Sequence, residues 1–200
     1  MKVIGLTGGI GTGKSTVSSY LKEKGCLVLD ADKMSRALTA PGGAALGEVR
    51  AAFGDKVFFE DGTMNRKAVS DIVFNNPQQL RILEEIITKK VVQQTIDIVD
   101  NLRKENYKGI VVLDAPLLFE CGLQNYADEN WVVTADMEVR IQRIINRDGL
   151  NREDIIDRIN NQMSDSQKIA MADFIIDNSG DLQNLYCQID KLTERITDEE

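Results

Sequence analysis

The sequence predicts an α/β fold in which a five-stranded parallel sheet is covered by helices on both faces. Short apolar runs recur along the chain with helical patterns between them, and this alternation is typical of parallel sheets. A glycine-rich loop follows the first run, and a helical pattern follows that loop. At 200 residues the chain is long enough for one core, so we expect a single domain over residues 1–200.

The predicted strands are short and rich in apolar side chains, as buried parallel strands are. They are Val3–Leu6, Leu27–Asp30, Ile110–Asp114, Trp131–Thr134 and Phe174–Asp177. Ligands bind beyond the carboxyl ends of parallel strands, so the residues that end these runs are candidates for a functional site.

Helical patterns fill the rest of the chain. The long gap between the second and third strands, residues 35–108, predicts a helical insertion. Within it, Pro77 to about Lys104 predicts one long helix, and the C-terminal segment predicts an amphipathic helix. The apolar residues at helical spacing are Leu80, Leu83, Ile87, Val91 and Ile98 in the first, and Leu182, Leu185, Tyr186, Ile189, Leu192 and Ile196 in the second.

The charge and composition exclude several classes of function. The formal net charge is −8, which argues against general binding to nucleic acid or to anionic membranes. No apolar run approaches the length of a membrane span, and the first strand begins almost at Met1, so we expect a cytoplasmic protein without a signal peptide. Histidine is absent, so a general base must be Asp, Glu or Lys. We expect a monomer or a small homo-oligomer.

The three cysteines, Cys26, Cys121 and Cys187, are far apart and form no C-x-x-C pair. A zinc site or a disulfide framework is therefore disfavoured. We expect them to be small apolar fillers in a reducing compartment.

The segment Gly8–Ser15 reads Gly-Gly-Ile-Gly-Thr-Gly-Lys-Ser and fits the loop that cradles nucleoside triphosphates. Glycines let backbone N–H groups turn toward phosphate oxygens, and the N-terminus of the next helix, Lys14 to Lys24, adds positive partial charge. Lys14 should reach the β- and γ-phosphates, and Ser15 should ligate Mg²⁺. The residues expected to bind ATP here are Gly8, Gly9, Ile10, Gly11, Thr12, Gly13, Lys14, Ser15 and Thr16. A plain glycine-rich turn is the alternative.

Aspartates follow two of the predicted strands. Asp30 and Asp32 follow the second, and one of them could cap the next helix. We assign the cap to Asp30 and proton removal from an attacking hydroxyl to Asp32. Asp114 ends the third strand, an arrangement that holds Mg²⁺ in enzymes with this phosphate loop.

Three arginines, Arg140, Arg143 and Arg147, share one helical face. Arginine forks suit phosphate oxygens and can stabilise charge during phosphoryl transfer. The same spacing fits a solvated face with a local pair between Asp136 and Arg140. The spacing favours neither alternative.

A turn at Asp148-Gly149 joins that helix to a second, Asn151 to Gln162. The two helices could form a lid over residues 138–165 that excludes water from the site. Farther on, Asp177–Gly180 closes the fifth strand, as a loop that faces the nucleotide base or as a plain turn.

A series of ordered segments carries a resemblance to a known family. The most specific is Asp114-Ala115-Pro116-Leu117-Leu118-Phe119-Glu120. The others are the phosphate loop, Asp30–Asp32 with Arg36, Phe53-Gly54, Asp61-Gly62, Arg66, Val73-Phe74, Arg143 with Arg147, Arg158-Ile159 with Gln162, Ala172-Asp173 and Ile176–Asn178. Taken in this order, nearly end to end, they resemble the dephospho-CoA kinase family.

The resemblance implies transfer of the ATP γ-phosphoryl group to the ribose 3′-hydroxyl of dephospho-CoA, the last step of coenzyme A synthesis. It implies a P-loop kinase-like sheet with a helical CoA-binding insertion and a lid. Asp32 would be the base, Lys14 and Ser15 the phosphate and metal residues, and Arg143 and Arg147 the lid charges. Arg140 and Asn178 would flank the adenine, and the acceptor would meet Asp32, Arg36, Pro116, Leu117 and Leu118.

One segment departs from the family pattern. The family usually shows His-Pro after a Leu-Glu-x-Ile pattern, whereas Leu83–Ile86 is followed here by Ile87 and then Thr88-Lys89. Without the proline the helix has no interruption, and Lys89 and Lys90 could supply charge instead.

Three other functions are alternatives to a dephospho-CoA kinase. Another small-metabolite or nucleotide kinase would share the core and differ in its acceptor. A GTPase switch would need Asp-x-x-Gly after the third strand and an Asn-Lys-x-Asp motif, but the strand ends Asp114-Ala115-Pro116-Leu117 and no Asn-Lys pair exists. A nucleotide-binding structural protein would bind ATP without turnover.

Overall fold

The computed structural model describes residues 1–74 and 76–198. It divides into two compact units. Unit 1 comprises residues 1–29 and the chain from Asn106 onward, and unit 2 is Asp30–Glu105.

Among the described residues, five strands form one parallel sheet, which confirms the predicted fold class. The strands are β1 (Lys2–Gly8), β2 (Leu27–Asp30), β3 (Ile110–Asp114), β4 (Glu129–Thr134) and β5 (Phe174–Asp177). Their order across the sheet is β2-β3-β1-β4-β5, so the phosphate loop leaves the central strand. Val3 and Ile4 point to opposite faces of β1 and are both fully buried, so each face of the sheet is covered.

The helices alternate with the strands as the sequence predicts. In the described residues they are α1 (Lys14–Glu23), α2 (Ala31–Leu38), α3 (Leu46–Phe53), α4 (Arg66–Phe74), α5 (Pro77–Lys104), α6 (Met137–Asp148), α7 (Arg152–Asn160), α8 (Asp165–Ala170) and α9 (Leu182–Asp198).

The main core of unit 1 lies between the sheet, α1 and α9. Its buried residues include Ile4, Leu6, Val17, Leu21, Trp131, Val133, Ile176, Leu185, Ile189 and Ile196. The predicted stripe on α9 is therefore confirmed, except that Leu182 at its start is 55% exposed. Leu182 is the first residue of α9 and precedes the residues of this helix that pack in the core.

A second cluster in unit 1 joins α6 to α7. Ile141, Ile144 and Ile155 are fully or almost fully buried, and Ile10 of the phosphate loop packs against them. Gly149 ends α6 with φ of 66°, which is the predicted turn between the two helices.

Unit 2 has a core of its own, in which Val49, Phe53 and Val57 pack against α4 and α5. The long helix α5 begins at Pro77, where the side chain of Asn76 accepts hydrogen bonds from the N–H groups of Gln78 and Gln79. It is continuous through Thr88-Lys89, as the missing proline predicts.

The buried stripe of α5 differs from the predicted one. Val91, Thr95 and Val99 are buried, whereas Leu80 is 39% exposed and Ile98 only partly buried. Apolar spacing identified the helix, but the packing of its neighbours selected the buried face.

The cysteines are free, and their environments differ. Cys26 is buried in the main core, where burial raises the pKa of its thiol. Cys187 is exposed on α9, so the expectation of an apolar filler is wrong there. In the described residues, no helix is both long and apolar enough to cross a membrane.

Candidate active site

The phosphate loop is a tight turn that leads from β1 into α1. Gly11 and Gly13 have φ of 80° and 86°, values that side-chain-bearing residues rarely adopt. Thr12 closes the turn, because its N–H and its hydroxyl both donate to the carbonyl oxygen of Gly9, at 3.2 and 2.8 Å. Gly13 has no side chain to cap the first N–H groups of α1. These groups and the positive end of the helix dipole therefore suit an anion.

Lys14, the first residue of α1, and Asp114, the last residue of β3, form an ion pair. The Nζ atom of Lys14 bonds to Oδ1 of Asp114, and Asp114 is only 5% exposed. Strands β1 and β3 run in parallel register with Leu6 opposite Asp114, so both carboxyl ends reach the same side of the sheet. Each charge offsets part of the other's desolvation cost.

The side chains of Ser15 and Asp114 carry oxygen atoms of the kind that a hard cation binds. Ser15 lies exposed in the first turn of α1, and Asp114 ends β3. A hydroxyl and a carboxylate are ligands that Mg²⁺ accepts while it keeps several waters. In the part of the chain that the structure describes, no group of three or more Cys, Asp or Glu side chains could hold a metal unaided. The donor set thus fits Mg²⁺ that arrives with a nucleotide.

Asn178 and Arg143 support the phosphate loop from another side. Asn178 follows β5, is 3% exposed, and its Nδ2 atom donates to the carbonyl oxygen of Thr12 at 2.8 Å. Arg143 on α6 donates through Nη2 to the carbonyl oxygen of Asn178 at 2.9 Å. A Cβ added to Gly13 would lie 2.1 Å from Nδ2 of Asn178, so this approach requires glycine. Contact of Asn178 with adenine stays a prediction.

Arg140 is buried beneath the same loop. It is 1% exposed; its Nε donates to the carbonyl oxygen of Ile10 at 2.8 Å, and its Nη1 pairs with Asp165 at 2.6 Å. The alternative of a solvated face with a local pair to Asp136 is therefore wrong for Arg140, because the side chain folds inward toward α8. Gln162, two residues after the end of α7, accepts a hydrogen bond from the N–H of Ile10 at 2.9 Å.

Arg147 matches the other interpretation of the spacing, a solvated helical face with local ion pairs. It is exposed and pairs with its neighbour Asp148 through two hydrogen bonds of 2.8 and 2.7 Å. The hydrogen bond from Arg147 holds the pKa of Asp148 below its ordinary value. Of the three arginines that share the helical pattern, the structure brings Arg140 and Arg143 to the phosphate loop.

The segment after β3 is held by a buried lysine. Lys168 on α8 is 2% exposed, and its Nζ donates to the carbonyl oxygen of Pro116 at 3.3 Å and to Glu120 at 3.2 Å. The hydroxyl of Thr7 on β1 donates to the same carbonyl at 3.0 Å. Leu117 is 51% exposed, whereas Leu118 is fully buried.

Asp32 and Arg36 belong to unit 2, both exposed on α2. Asp32 lies in the first turn, and Arg36 lies in the last. The carboxylate of Asp30 accepts a hydrogen bond from the N–H of Lys33 at 2.9 Å, which confirms its predicted cap.

Sequence reasoning missed Asp165 and Lys168. The capping box Ser164-x-x-Gln167 is a local signal that could have predicted α8. No local signal points to their partners, which lie 25 to 52 residues away along the chain.

The central strand, the glycine-rich loop that follows it and the lysine–aspartate pair beside it define a class of protein. They are the architecture of a P-loop kinase: an α/β sheet that presents a phosphate loop at its carboxyl side.

The chain belongs to the dephospho-CoA kinase family, whose model matches residues 2–184. The dephospho-CoA kinase of Fusobacterium nucleatum is 39% identical over 194 residues, which cover 97% of this chain and 98% of that protein. A solved structure from Thermus thermophilus is similar with a TM-score of 0.77 at 31% identity, over 97% of each chain. The structure of the dephospho-CoA kinase from Campylobacter jejuni has a TM-score of 0.74 at 28% identity and matches 100% of this chain and 99% of that one.

Proposed function

We propose that this chain transfers the γ-phosphoryl group of ATP to the 3′-hydroxyl of the ribose of dephospho-CoA, giving coenzyme A and ADP. The observation that carries the proposal is the ion pair of Lys14 with the buried Asp114 beside the phosphate loop, in a chain of this family. A lysine in this position neutralises phosphate charge that is redistributed during the transfer.

ATP is bound by the phosphate loop. The backbone N–H groups of Gly11, Gly13, Lys14 and Ser15 and the ammonium of Lys14 hold the phosphates. Gly8, Gly9 and Ile10 form the first part of the turn, and the N–H groups of Thr12 and Thr16 donate to the carbonyl oxygens of Gly9 and Gly13. Arg140 and Asn178 lie against this loop and complete the ATP site.

Mg²⁺ would be held by Ser15 and Asp114, which supply oxygen atoms of the kind it prefers. When bound, it neutralises charge on the β- and γ-phosphate oxygens. In its absence, the carboxylate of Asp114 pairs with the ammonium of Lys14.

Asp32 accepts the proton of the ribose hydroxyl, and Arg36, Pro116, Leu117 and Leu118 bind the acceptor. Arg143 and Arg147 supply positive charge from the lid, residues 138–165, and residues 35–108 form the CoA-binding insertion. In this scheme covalent catalysis by the protein contributes little. The rate enhancement comes from positioning of the substrates and stabilisation of the charge that develops during the transfer.

The chain works in the cytoplasm, as a monomer or a small homo-oligomer, and takes small-molecule substrates. Its net charge of −8 supports the absence of a nucleic-acid or membrane partner.

A coupled assay of ADP release tests the proposed function. With ATP and Mg²⁺, dephospho-CoA should be the best acceptor in a panel that includes adenosine, AMP and sugar acids. A folded protein that prefers another acceptor would be a different small-metabolite kinase. ATP binding without turnover on any acceptor would indicate a nucleotide-binding structural protein.

A further inference from the structure

Ile10 is held at both of its backbone polar groups by side chains from a distant part of the chain. Its N–H donates to Oε1 of Gln162 at 2.9 Å, and its carbonyl oxygen accepts from Nε of Arg140 at 2.8 Å. The partners are 152 and 130 residues away along the chain. A loop residue that is fixed at both groups cannot rotate its two flanking peptides without breaking one of these hydrogen bonds.

The guanidinium of Arg140 is occupied by protein on several sides. Nε lies on Ile10, and Nη1 lies on Asp165 at 2.6 Å. A Cβ added to Gly9 would lie 2.6 Å from Nη2, so the guanidinium also packs against the loop backbone. With 1% of the residue exposed, this side chain has little surface left for a nucleotide base.

The side chain of Ile10 is anchored to the same region. It packs against Ile141, Ile144 and Ile155 of α6 and α7, and Ile141 is the neighbour of Arg140 in sequence. Polar and apolar contacts therefore fix the same residue, directly before the amides that are proposed to bind phosphate.

We propose that Arg140, Asp165 and Gln162 are positioning residues that fix the phosphate loop through the backbone of Ile10, and that Arg140 acts on ATP through this loop without contacting the base. This inference rests on the proposed role of the loop in ATP binding. Asp165 holds the guanidinium in place, because a buried arginine that loses its carboxylate partner pays an uncompensated desolvation cost.

The test separates phosphate recognition from base recognition. Asp165→Asn and Gln162→Ala are compared with the parent protein by displacement of a fluorescent ADP analogue. The competitors are ATP, inorganic tripolyphosphate, which has no base, and adenosine, which has no phosphate. The control Lys24→Gln breaks a partly exposed pair with Asp190 of α9, outside the proposed site (Nζ to Oδ1, 2.8 Å).

We expect both variants to weaken ATP and tripolyphosphate by a similar factor, about tenfold for a lost hydrogen bond to a charged or aligned group. Adenosine should bind as it does to the parent, and the KM for dephospho-CoA should stay unchanged while the KM for ATP rises. The control should match the parent in every measurement.

Weaker adenosine binding with unchanged tripolyphosphate binding would overturn the proposal and indicate a base contact. Unchanged binding of all three competitors would overturn it as well. If Asp165→Asn does not fold, Gln162→Ala alone tests the proposal. Gln162 is exposed, so its truncation leaves no cavity in the core. Failure of the proposed function is a separate result, since these binding measurements need no acceptor.

Discussion

At the scale of single residues, the phosphate loop is defined by the groups that hold its backbone. The carbonyl oxygens of Ile10 and Thr12 accept hydrogen bonds from Arg140 and Asn178 at 2.8 Å each. A loop held in this way presents its remaining N–H groups in one arrangement before ligand arrives. Such preorganisation lowers the cost of binding, because the loop has little conformational freedom left to lose.

Asp30 and Asp32 lie two positions apart, yet the structure gives them different surroundings. Asp30 caps α2, and Asp32 is exposed in the first turn of that helix. Asp32→Asn should keep ATP binding and lose at least about a hundredfold in kcat, the usual scale for a general base. Steady-state kinetics with dephospho-CoA and a direct ATP titration measure both quantities.

The matched control is Asp30→Asn, which retains a side-chain oxygen that can cap the helix. It should keep turnover close to that of the parent. Full activity in Asp32→Asn would exclude Asp32 as the base.

At the scale of elements, the turn into α1 depends on a close approach between two segments. Gly13 and Gly25 have nearly the same φ, 86° and 91°, but different neighbours. A Cβ at Gly13 would lie 2.1 Å from Nδ2 of Asn178, whereas a Cβ at Gly25 would meet nothing within 4 Å. Alanine substitutions at these two positions therefore separate the free-energy cost of backbone strain from that of a steric clash.

Gly25→Ala should therefore lower the free energy of unfolding by only about 1–2 kcal/mol, the cost of a left-handed residue with a side chain. Gly13→Ala should cost more and should also weaken ATP, because Asn178 must move away from the carbonyl of Thr12. Urea unfolding and ATP titration of both variants measure this difference. Equal losses of stability with unchanged ATP affinity would show that the contact with Asn178 is unimportant.

Helices α6 and α7 form the element that we propose as a lid. Their shared cluster of Ile141, Ile144 and Ile155 gives them a small core that includes Ile10 of the phosphate loop. ATP should slow amide hydrogen exchange over roughly residues 140–165, because a nucleotide that orders the loop also orders what packs on it. Hydrogen exchange followed by mass spectrometry, with α9 as the internal reference, measures this. Unchanged exchange in this region on addition of ATP would count against a lid.

At the scale of the whole molecule, unit 1 is tied together by a carboxylate at the start of β4. Glu129 is 7% exposed, and it bonds to Lys2 of β1 at 3.0 Å and to Arg195 of α9 at 2.6 Å. Trp131 donates to it at 3.2 Å. Burial would raise the pKa of Glu129, but the hydrogen bonds from Arg195, Lys2 and Trp131 outweigh it and hold the pKa below its ordinary value.

A lowered pKa in the folded state means that ionised Glu129 stabilises the fold above its unfolded pKa of 4.5. The contribution is lost as the pH falls through the lower, folded pKa. Glu129→Gln should thus reduce the free energy of unfolding at neutral pH by about 1–2 kcal/mol, and the difference from the parent should shrink in acid.

Urea unfolding of parent and variant across the acid range provides the measurement. Glu138→Gln removes an exposed carboxylate that pairs with Arg152, and it should leave the unfolding midpoint at neutral pH nearly unchanged. A loss for Glu129→Gln that is the same at every pH would show that the charge is not the cause.

The sequence by itself determined the five strands, the long helices and the phosphate-loop motif. Strand bounds such as Leu27–Asp30 and Ile110–Asp114 agree with the structure, and Pro77 correctly predicted the start of α5. These features depend on alternation, helical spacing and backbone rules that act over a few residues, so a single sequence contains them.

Only the tertiary structure decided which side chains hold the loop. The spacing of the arginines put Arg140 and Arg147 on one helical face, yet Arg140 is buried against Asp165, while Arg147 is exposed and pairs with Asp148. Likewise, nothing local to Lys168 points to the carbonyl of Pro116. A helical pattern gives the direction of a side chain to within a face, whereas a hydrogen bond requires atoms within a few tenths of an ångström. That distance is set by how segments far apart in the chain pack together, and no local pattern records it.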